Sequence, residues 1–364
     1  MNESSTLKYK QIAEWIRERI QDGTFSSGEK LLSENQLCEK FSISRQTARQ
    51  AIQILVDDGL VSPKKGSGTF INDLPKKGQK TQTIGVMTTY LDDYIFPRII
   101  SGIEKVLSQS GYQMTLRLTR NKVLNERSQL ENLLASHIDG LIVEGTKTAL
   151  HNPNLDIYQK FYEQGIPVIF INAYYQDLPC DYIVNGDEEG AQLATRRLIQ
   201  CGHKKIAGIF KHDDLQGKLR YKGFLNEMYG QGLSIDDQAI LWYSTENEED
   251  VFNANNFPYL LKKFENCTAV ICYNDQIAMK LIQIFNSSTL SIPEDLSLVS
   301  FDNSPLAEIS SIPLSSVTHP SLKLGSLAAE SILKKITDPN FNIQHVFVPE
   351  FMERTSLAKA PALK

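Results

Sequence analysis

Leu32-Ser-Glu-Asn-Gln-Leu-Cys-Glu-Lys-Phe41 is followed, after only Ser42 and Ile43, by Ser44-Arg-Gln-Thr47 and an amphipathic run to Asp57. Ser33 with Gln36 three residues on is a capping box, so a helix starts there. Ser44 caps a second helix, whose Ala48, Ala51, Ile52 and Leu55 fall on one face. Two short helices joined by so tight a turn cannot lie antiparallel, and they cross steeply as in a helix-turn-helix. The second helix then presents its first turn outward.

That turn carries Arg45, Gln46, Thr47 and Arg49, side chains that make forked hydrogen bonds to base edges or phosphates. Upstream, Ile12, Ala13, Ile16 and Ile20 place an apolar stripe on a helix from Leu7 to Ile20, which Gly23 ends. Downstream, residues 59–71 read as two short strands around a turn, with Lys64 and Lys65 at its tip. A basic hairpin beside the outward helix is a wing.

The chain of 364 residues is long enough for two or three folding units. Its formal charge of −5 hides an asymmetry, because residues 1–80 carry a surplus of three Lys and Arg while the remainder carries a deficit of eight. Basic character is thus concentrated where a phosphate backbone needs it. The start, MNESSTLKYK, lacks the layout of a signal peptide, and no run of about 18 apolar residues exists, so a cytoplasmic protein with no membrane partner is expected. Cys38, Cys180, Cys201, Cys267 and Cys272 have no metal-ligand spacing and read as ordinary small apolar residues. Neither a phosphate-cradling Gly-x-x-x-x-Gly-Lys, a Gly-x-Ser-x-Gly elbow nor an HExxH pair is present, so the reading is of no enzyme, no catalytic residue and no cofactor.

The motifs Leu31-Leu-Ser-Glu34, Phe41-Ser-Ile-Ser-Arg-Gln-Thr-Ala-Arg49 and Gly66-Ser-Gly-Thr-Phe70 resemble the DNA-binding domain of the gluconate-repressor (GntR) family. The resemblance covers nearly all of residues 7–72. It implies that Lys8, Glu34, Arg45, Gln46, Thr47, Arg49, Lys65 and Gly66 contact DNA. Leu32 departs from that pattern, in which proline usually precedes the capping serine.

Residues 72–82 combine turn formers and charge without apolar period and read as a linker between a reader at 1–71 and a larger domain at 83–357. From Thr83 short apolar strands alternate with amphipathic helices, the mark of a parallel α/β sheet, and the alternation runs twice in succession, predicting two lobes. Ligands bind outside the carboxyl ends of parallel strands. The residues there are Tyr90, Tyr94, Phe96, Glu144, Asn172, Asp187, Arg220, Asn274, Asp275, Asp302 and His319. Fixed donors and acceptors beside aromatic faces suit a sugar.

This second domain resembles the sensor of the lactose/galactose-repressor family, built like a periplasmic sugar-binding protein. Its marks are His137-Ile-Asp-Gly-Leu-Ile-Val143, Gly202-His-Lys-Lys-Ile206, Arg220-Tyr-Lys-Gly-Phe224, Ala269-Val-Ile-Cys-Tyr-Asn-Asp275 and Ile292-Pro-Glu-Asp-Leu-Ser-Leu-Val-Ser-Phe-Asp302. The resemblance implies that Arg220, Asn274, Asp275 and Asp302 reach an effector. Asn303 replaces the usual second aspartate.

A gluconate-type reader on such a sensor is similar to the arabinose-repressor family of bacilli, notably at Thr88 to Pro97 and Glu131 to Glu144. That implies L-arabinose as effector, release from operator DNA by the sugar, and a homodimer on a palindromic operator. The alternatives left open are a different sugar or a purine corepressor on the same architecture.

Overall fold

The computed structural model describes residues 3–57, 59–64, 66–72, 80–91, 94–286 and 288–361, without the side chains of 3–7 and 21. Contacts divide the chain into one unit of residues 1–83 with 130–139 and a second of 84–129 with 140–364.

In the first unit, helices α1 (Glu3–Gln21), α2 (Glu34–Phe41) and α3 (Arg45–Asp57) precede a hairpin of β1 (Val61–Lys64) and β2 (Gly68–Ile71). The capping box is present: the Gln36 amide donates to Ser33 Oγ at 3.3 Å, and the Ser33 amide donates to Gln36 Oε1 at 2.8 Å. Ser42 takes a left-handed φ of 51° that stops α2, and Ser44 Oγ accepts from the Thr47 amide to start α3. Ile12, Ile16, Leu37, Ala48, Ala51 and Leu55 meet in one core, which Leu60, Val61 and Ile71 extend under the hairpin. The antiparallel hairpin pairs Val61 with Ile71 and Lys64 with Gly68. Truncating a buried member such as Leu55 to Ala costs about 2–5 kcal/mol, a large share of a small domain's stability.

The second unit has two six-stranded sheets, and of its elements only Thr83 of β3 and the part of α5 from residue 130 are counted with the first unit. Its elements in order are β3 (Thr83–Thr88), α4 (Phe96–Gln109), β4 (Gln113–Leu118), α5 (Val123–Ala135), β5 (Gly140–Val143), α6 (Leu155–Glu163), β6 (Val168–Ile171) and β7 (Asp181–Asn185), followed by α7 (Asp187–Gln200), β8 (Ile206–Lys211), α8 (Leu215–Gly230), β9 (Ile240–Tyr243) and α9 (Glu248–Val251). Then come α10 (Phe257–Phe264), β10 (Ala269–Ile271), α11 (Asp275–Asn286), β11 (Ser297–Asp302), α12 (Pro305–Ile309), β12 (Ser315–Thr318), α13 (Ser321–Thr337), β13 (Gln344–Phe347) and β14 (Phe351–Met352).

The sheet orders are β13-β7-β6-β5-β3-β4 and β14-β12-β11-β10-β8-β9. The sequence predicts two lobes in simple succession, and the structure corrects this. After β12 the chain returns to lobe one, where α13 packs on α4 and β13 pairs in parallel with β7, before β14 ends on lobe two. Gly325 makes the close packing of α13 on α4 possible, since a Cβ there would stand 2.1 Å from the Ile99 carbonyl oxygen. Three crossovers therefore join the lobes, and they are tied together. Asn185 Nδ2 donates to the Thr318 carbonyl at 3.0 Å, and the Gly186 amide to that of Phe347 at 2.9 Å.

Candidate functional sites

On the first unit, Arg45 and Gln46 stand exposed on the first turn of α3, and Lys8 is exposed on α1. Arg49 is also exposed and reaches across to α2, donating from Nε and Nη2 to the two Glu34 oxygens at 3.1 and 3.2 Å. Gly66 lies in the exposed hairpin turn at φ 78°. Two expectations need amendment. Thr47 is largely buried, with its hydroxyl against Ser44 Oγ at 2.9 Å, because it sits inside the cap of its own helix. Lys65 lies outside the described residues.

On the second unit, a cavity of about 680 Å³ opens at the carboxyl ends of both sheets. Lobe one contributes Tyr90, Tyr94, Phe96 and Glu144 to its wall; lobe two contributes Arg220, Asn274 and Asp302. These seven are brought together as expected from strand-end positions. The other four sit behind the wall.

Arg220 is the centre of lobe two's side. It projects from α8 and donates to Asp187 Oδ1 at 2.7 Å, to the Tyr273 carbonyl at 2.5 Å and to Asp302 Oδ1 at 3.5 Å, with its guanidinium 4.4 Å from the Phe301 ring centroid. Gly223, one turn along, explains the aim: a Cβ there would meet the Glu188 carbonyl oxygen at 2.1 Å, so only glycine lets α8 lie this close to the start of α7. Burial opposes Arg220's charge, yet Asp187 and Asp302 outweigh it and hold its pKa above the ordinary value. Burial likewise pushes Asp187 up to about 6 against the pull of Arg220.

Asp302 ends β11 with φ 95°, a conformation that L-residues avoid. Neighbours hold the strained turn, since the Asn303 amide donates to Ser316 Oγ at 2.9 Å and Arg354 donates to Asn303 Oδ1 at 2.7 Å. Strain of this kind persists where a surrounding network over-determines the backbone. The Tyr94 hydroxyl of lobe one donates to Asp302 Oδ2 across the cleft.

Glu144 follows β5 on lobe one. It accepts from the Thr89 amide at 3.0 Å, the Thr89 hydroxyl and Asn172 Nδ2 at 3.0 Å. Burial raises its pKa against those bonds.

The structure corrects four of the expected contacts. Asp187 is spent on Arg220. Asp275 accepts from Ser300, Ser304 and Ser316 and braces the loop beneath Asp302, having been buried by its place at the start of α11. Asn172 and His319 form a chain behind Glu144, with His319 Nε2 3.2 Å from Asn172 Oδ1 and Nδ1 2.8 Å from Ser321 Oγ. Asn274 has a double place, lining the cavity while its Oδ1 accepts from the Ile277 amide at 3.0 Å.

Sequence reasoning missed Lys211, Asp214, Tyr243 and Tyr273 in the wall. Lys211 is the last residue of β8, so the strand-end rule applied to that strand would have found it. The tyrosines gave no signal, because an aromatic at the end of an apolar strand reads as core. Also unread was a polar clasp between the lobes. Lys147 Nζ lies 3.1 Å from Asp213 and 2.7 Å from Glu246, Asn121 Nδ2 donates to Thr245 Oγ1 at 2.6 Å, and the Leu215 amide donates to Thr148 Oγ1 at 2.9 Å.

A winged helix-turn-helix joined to a two-lobed α/β domain with a polar cleft defines a DNA-binding regulator that carries a small-molecule sensor. Residues 8–71 match the profile of bacterial regulatory proteins of the gntR family, and residues 195–357 that of the periplasmic binding protein-like domain. The chain is 36% identical to the arabinose metabolism transcriptional repressor of Halalkalibacterium halodurans over 98% of both chains, and 36% identical to that of Geobacillus stearothermophilus over 98% of this chain and 99% of the relative. It belongs to this family of transcriptional repressors. In fold the sensor is like a periplasmic binding protein/LacI transcriptional regulator from Alkaliphilus metalliredigens complexed with D-xylulofuranose, at TM-score 0.66 and 23% identity over 76% of this chain and 99% of that one. Among the described residues no helix is long and apolar enough to cross a membrane.

Proposed function

We propose that this chain represses L-arabinose utilisation genes in the cytoplasm, binding a palindromic operator as a homodimer and leaving it when L-arabinose enters the cleft. The observation that carries the reading is the cleft itself. Glu144 offers acceptors from one lobe, Arg220 and Asp302 offer donors and acceptors from the other, and Tyr90, Tyr94 and Phe96 supply apolar faces for the C–H surface of a sugar ring. Lys8, Glu34, Arg45, Gln46, Arg49 and Gly66, with Lys65 beside it in the sequence, are the proposed DNA contacts.

Because the wall draws on both lobes, a bound sugar favours the closed arrangement. Linkage then requires that DNA and sugar each weaken the other's binding if they prefer different arrangements. The test is a thermal-shift screen of the full chain against pentoses, hexoses and purines, followed by operator gel shifts. A ligand at one hundred times its Kd adds about 2.7 kcal/mol of stability, which a melt resolves. L-arabinose should raise Tm and dissolve the operator complex at fixed salt; a raised Tm with unchanged operator affinity would remove the coupling, and a response to purine alone would replace the effector.

A further inference from the structure

Lys211 stands apart from the other buried and half-buried charged groups of the cleft wall. Arg220, Asp302, Glu144 and Asp214 are each held by hydrogen bonds, Asp214 by the Gly217 amide at 2.7 Å and the Tyr273 hydroxyl at 2.6 Å. The Lys211 ammonium, on a residue only 9% exposed, makes no hydrogen bond to any of the described residues. Its nearest carboxylate oxygens belong to Asp214 at 3.4 Å and Asp213 at 3.7 Å. Those oxygens give it charge balance without hydrogen-bond partners. Asp214 is engaged as above, and Asp213 Oδ1, the oxygen on the Lys211 side, stands too far at 3.7 Å for a hydrogen bond and is itself buried without a partner, while Oδ2 accepts from Lys147 and the Thr245 amide. An ammonium carries three donors, and those not made to protein groups are available to a ligand. The open side of this one is the cavity.

We infer that Lys211 binds the effector directly and restricts it to an uncharged polyol, refusing the phosphate ester of the same sugar. The geometry supplies both halves. A hydroxyl or ring oxygen accepts from the ammonium while leaving its charge balance with Asp213 and Asp214 intact. A phosphate would meet those aspartates as well as Glu144 and Asp302, and the described cavity wall carries six carboxylates against four cations. In a cleft with low-dielectric walls such an excess repels a dianion strongly. Burial works against the charge of Lys211, but the adjacent aspartates prevail and keep it protonated, so it can only donate.

This inference rests on the proposed sugar cleft, and the experiment separates the two. Isothermal titration of the full chain with L-arabinose, L-arabinose 1-phosphate and inorganic phosphate is compared for the wild type, Lys211→Met and Lys211→Arg. The wild type should bind the free sugar at least a hundredfold more tightly than the ester, Lys211→Met should lose at least thirtyfold in sugar affinity, and Lys211→Arg should recover part of it. Equal affinity for sugar and ester, or unaltered binding by Lys211→Met, overturns the inference. If another uncharged aldose binds in place of L-arabinose, the proposed effector falls, and the same comparison made with that aldose decides the role of Lys211.

Discussion

Replacing His319 by Gln should make the sensor less sensitive to acid. Asn172 Nδ2 donates to Glu144, so its Oδ1 faces the histidine, and the ring must present its N–H at Nε2. Nδ1 then accepts from the Ser321 hydroxyl. The neutral ring is fully satisfied, and burial holds its pKa down to about 4, with nearby Arg220 adding to the effect and Asp302 opposing it. An unfolded histidine titrates near 6.5, so between those values the folded chain binds fewer protons, and stability is present above 6.5 and lost as pH falls toward 4. At pH 5 the loss amounts to about 2 kcal/mol, against a few tenths at pH 7. Asp187 and Asp275, both pushed up to about 6 by burial, work in the opposite sense, because the folded chain gains protons on acidification. Their contribution is common to wild type and variant and cancels in the difference. Urea denaturation at pH 7 and pH 5, followed by Trp242 fluorescence in a Trp15→Phe background, should show the wild type losing about 2 kcal/mol more than His319→Gln over this interval. Equal losses within about 0.5 kcal/mol would refute the buried neutral histidine.

Three further outcomes follow from the structure. Arg45→Ala and Arg49→Ala should each weaken operator binding about tenfold, and where the lost contact is to phosphate the slope of log K against log salt should fall by about 0.9; unchanged gel shifts with an intact sugar response would dismiss α3 as the reading helix. Lys147→Met removes the cation between Glu246 and the fully buried Asp213, so the clasp should loosen, sugar affinity measured by titration should fall about tenfold, and the radius of gyration of the sugar-free protein should rise; no change in either would mean that the clasp does not hold the lobes. Gly66→Ala places a Cβ at φ 78° in the hairpin turn, costing about 1 kcal/mol, and the melting of the first unit should drop by a few degrees while the sugar-induced Tm shift stays the same.

Much of this protein was legible locally. The capping box at Ser33, the cap at Ser44, the hairpin and the strand ends all depend on residues within a few positions of one another, and caps, turns and apolar period act over that range. Arg220 was found from its place after a strand and from the resemblance carried by Arg220-Tyr-Lys-Gly-Phe224, whose Gly223 the structure shows to be needed for close helix packing. Lys211 was equally local and was passed over as the last residue of a strand.

Which neighbour each side chain would meet was decided only in three dimensions. Tyr94 and Asp302 are joined across 208 positions, and His319 and Asn172 across 147. Asp275 and Asn274 are adjacent and chemically similar, yet one lines the cleft and the other is sealed beneath three serines. Periodicity says whether a residue faces inward or outward, but not what fills the space opposite. That is set by sheet order and by the crossovers that carry α13 and β13 back to lobe one, which depend on packing between segments far apart in the chain.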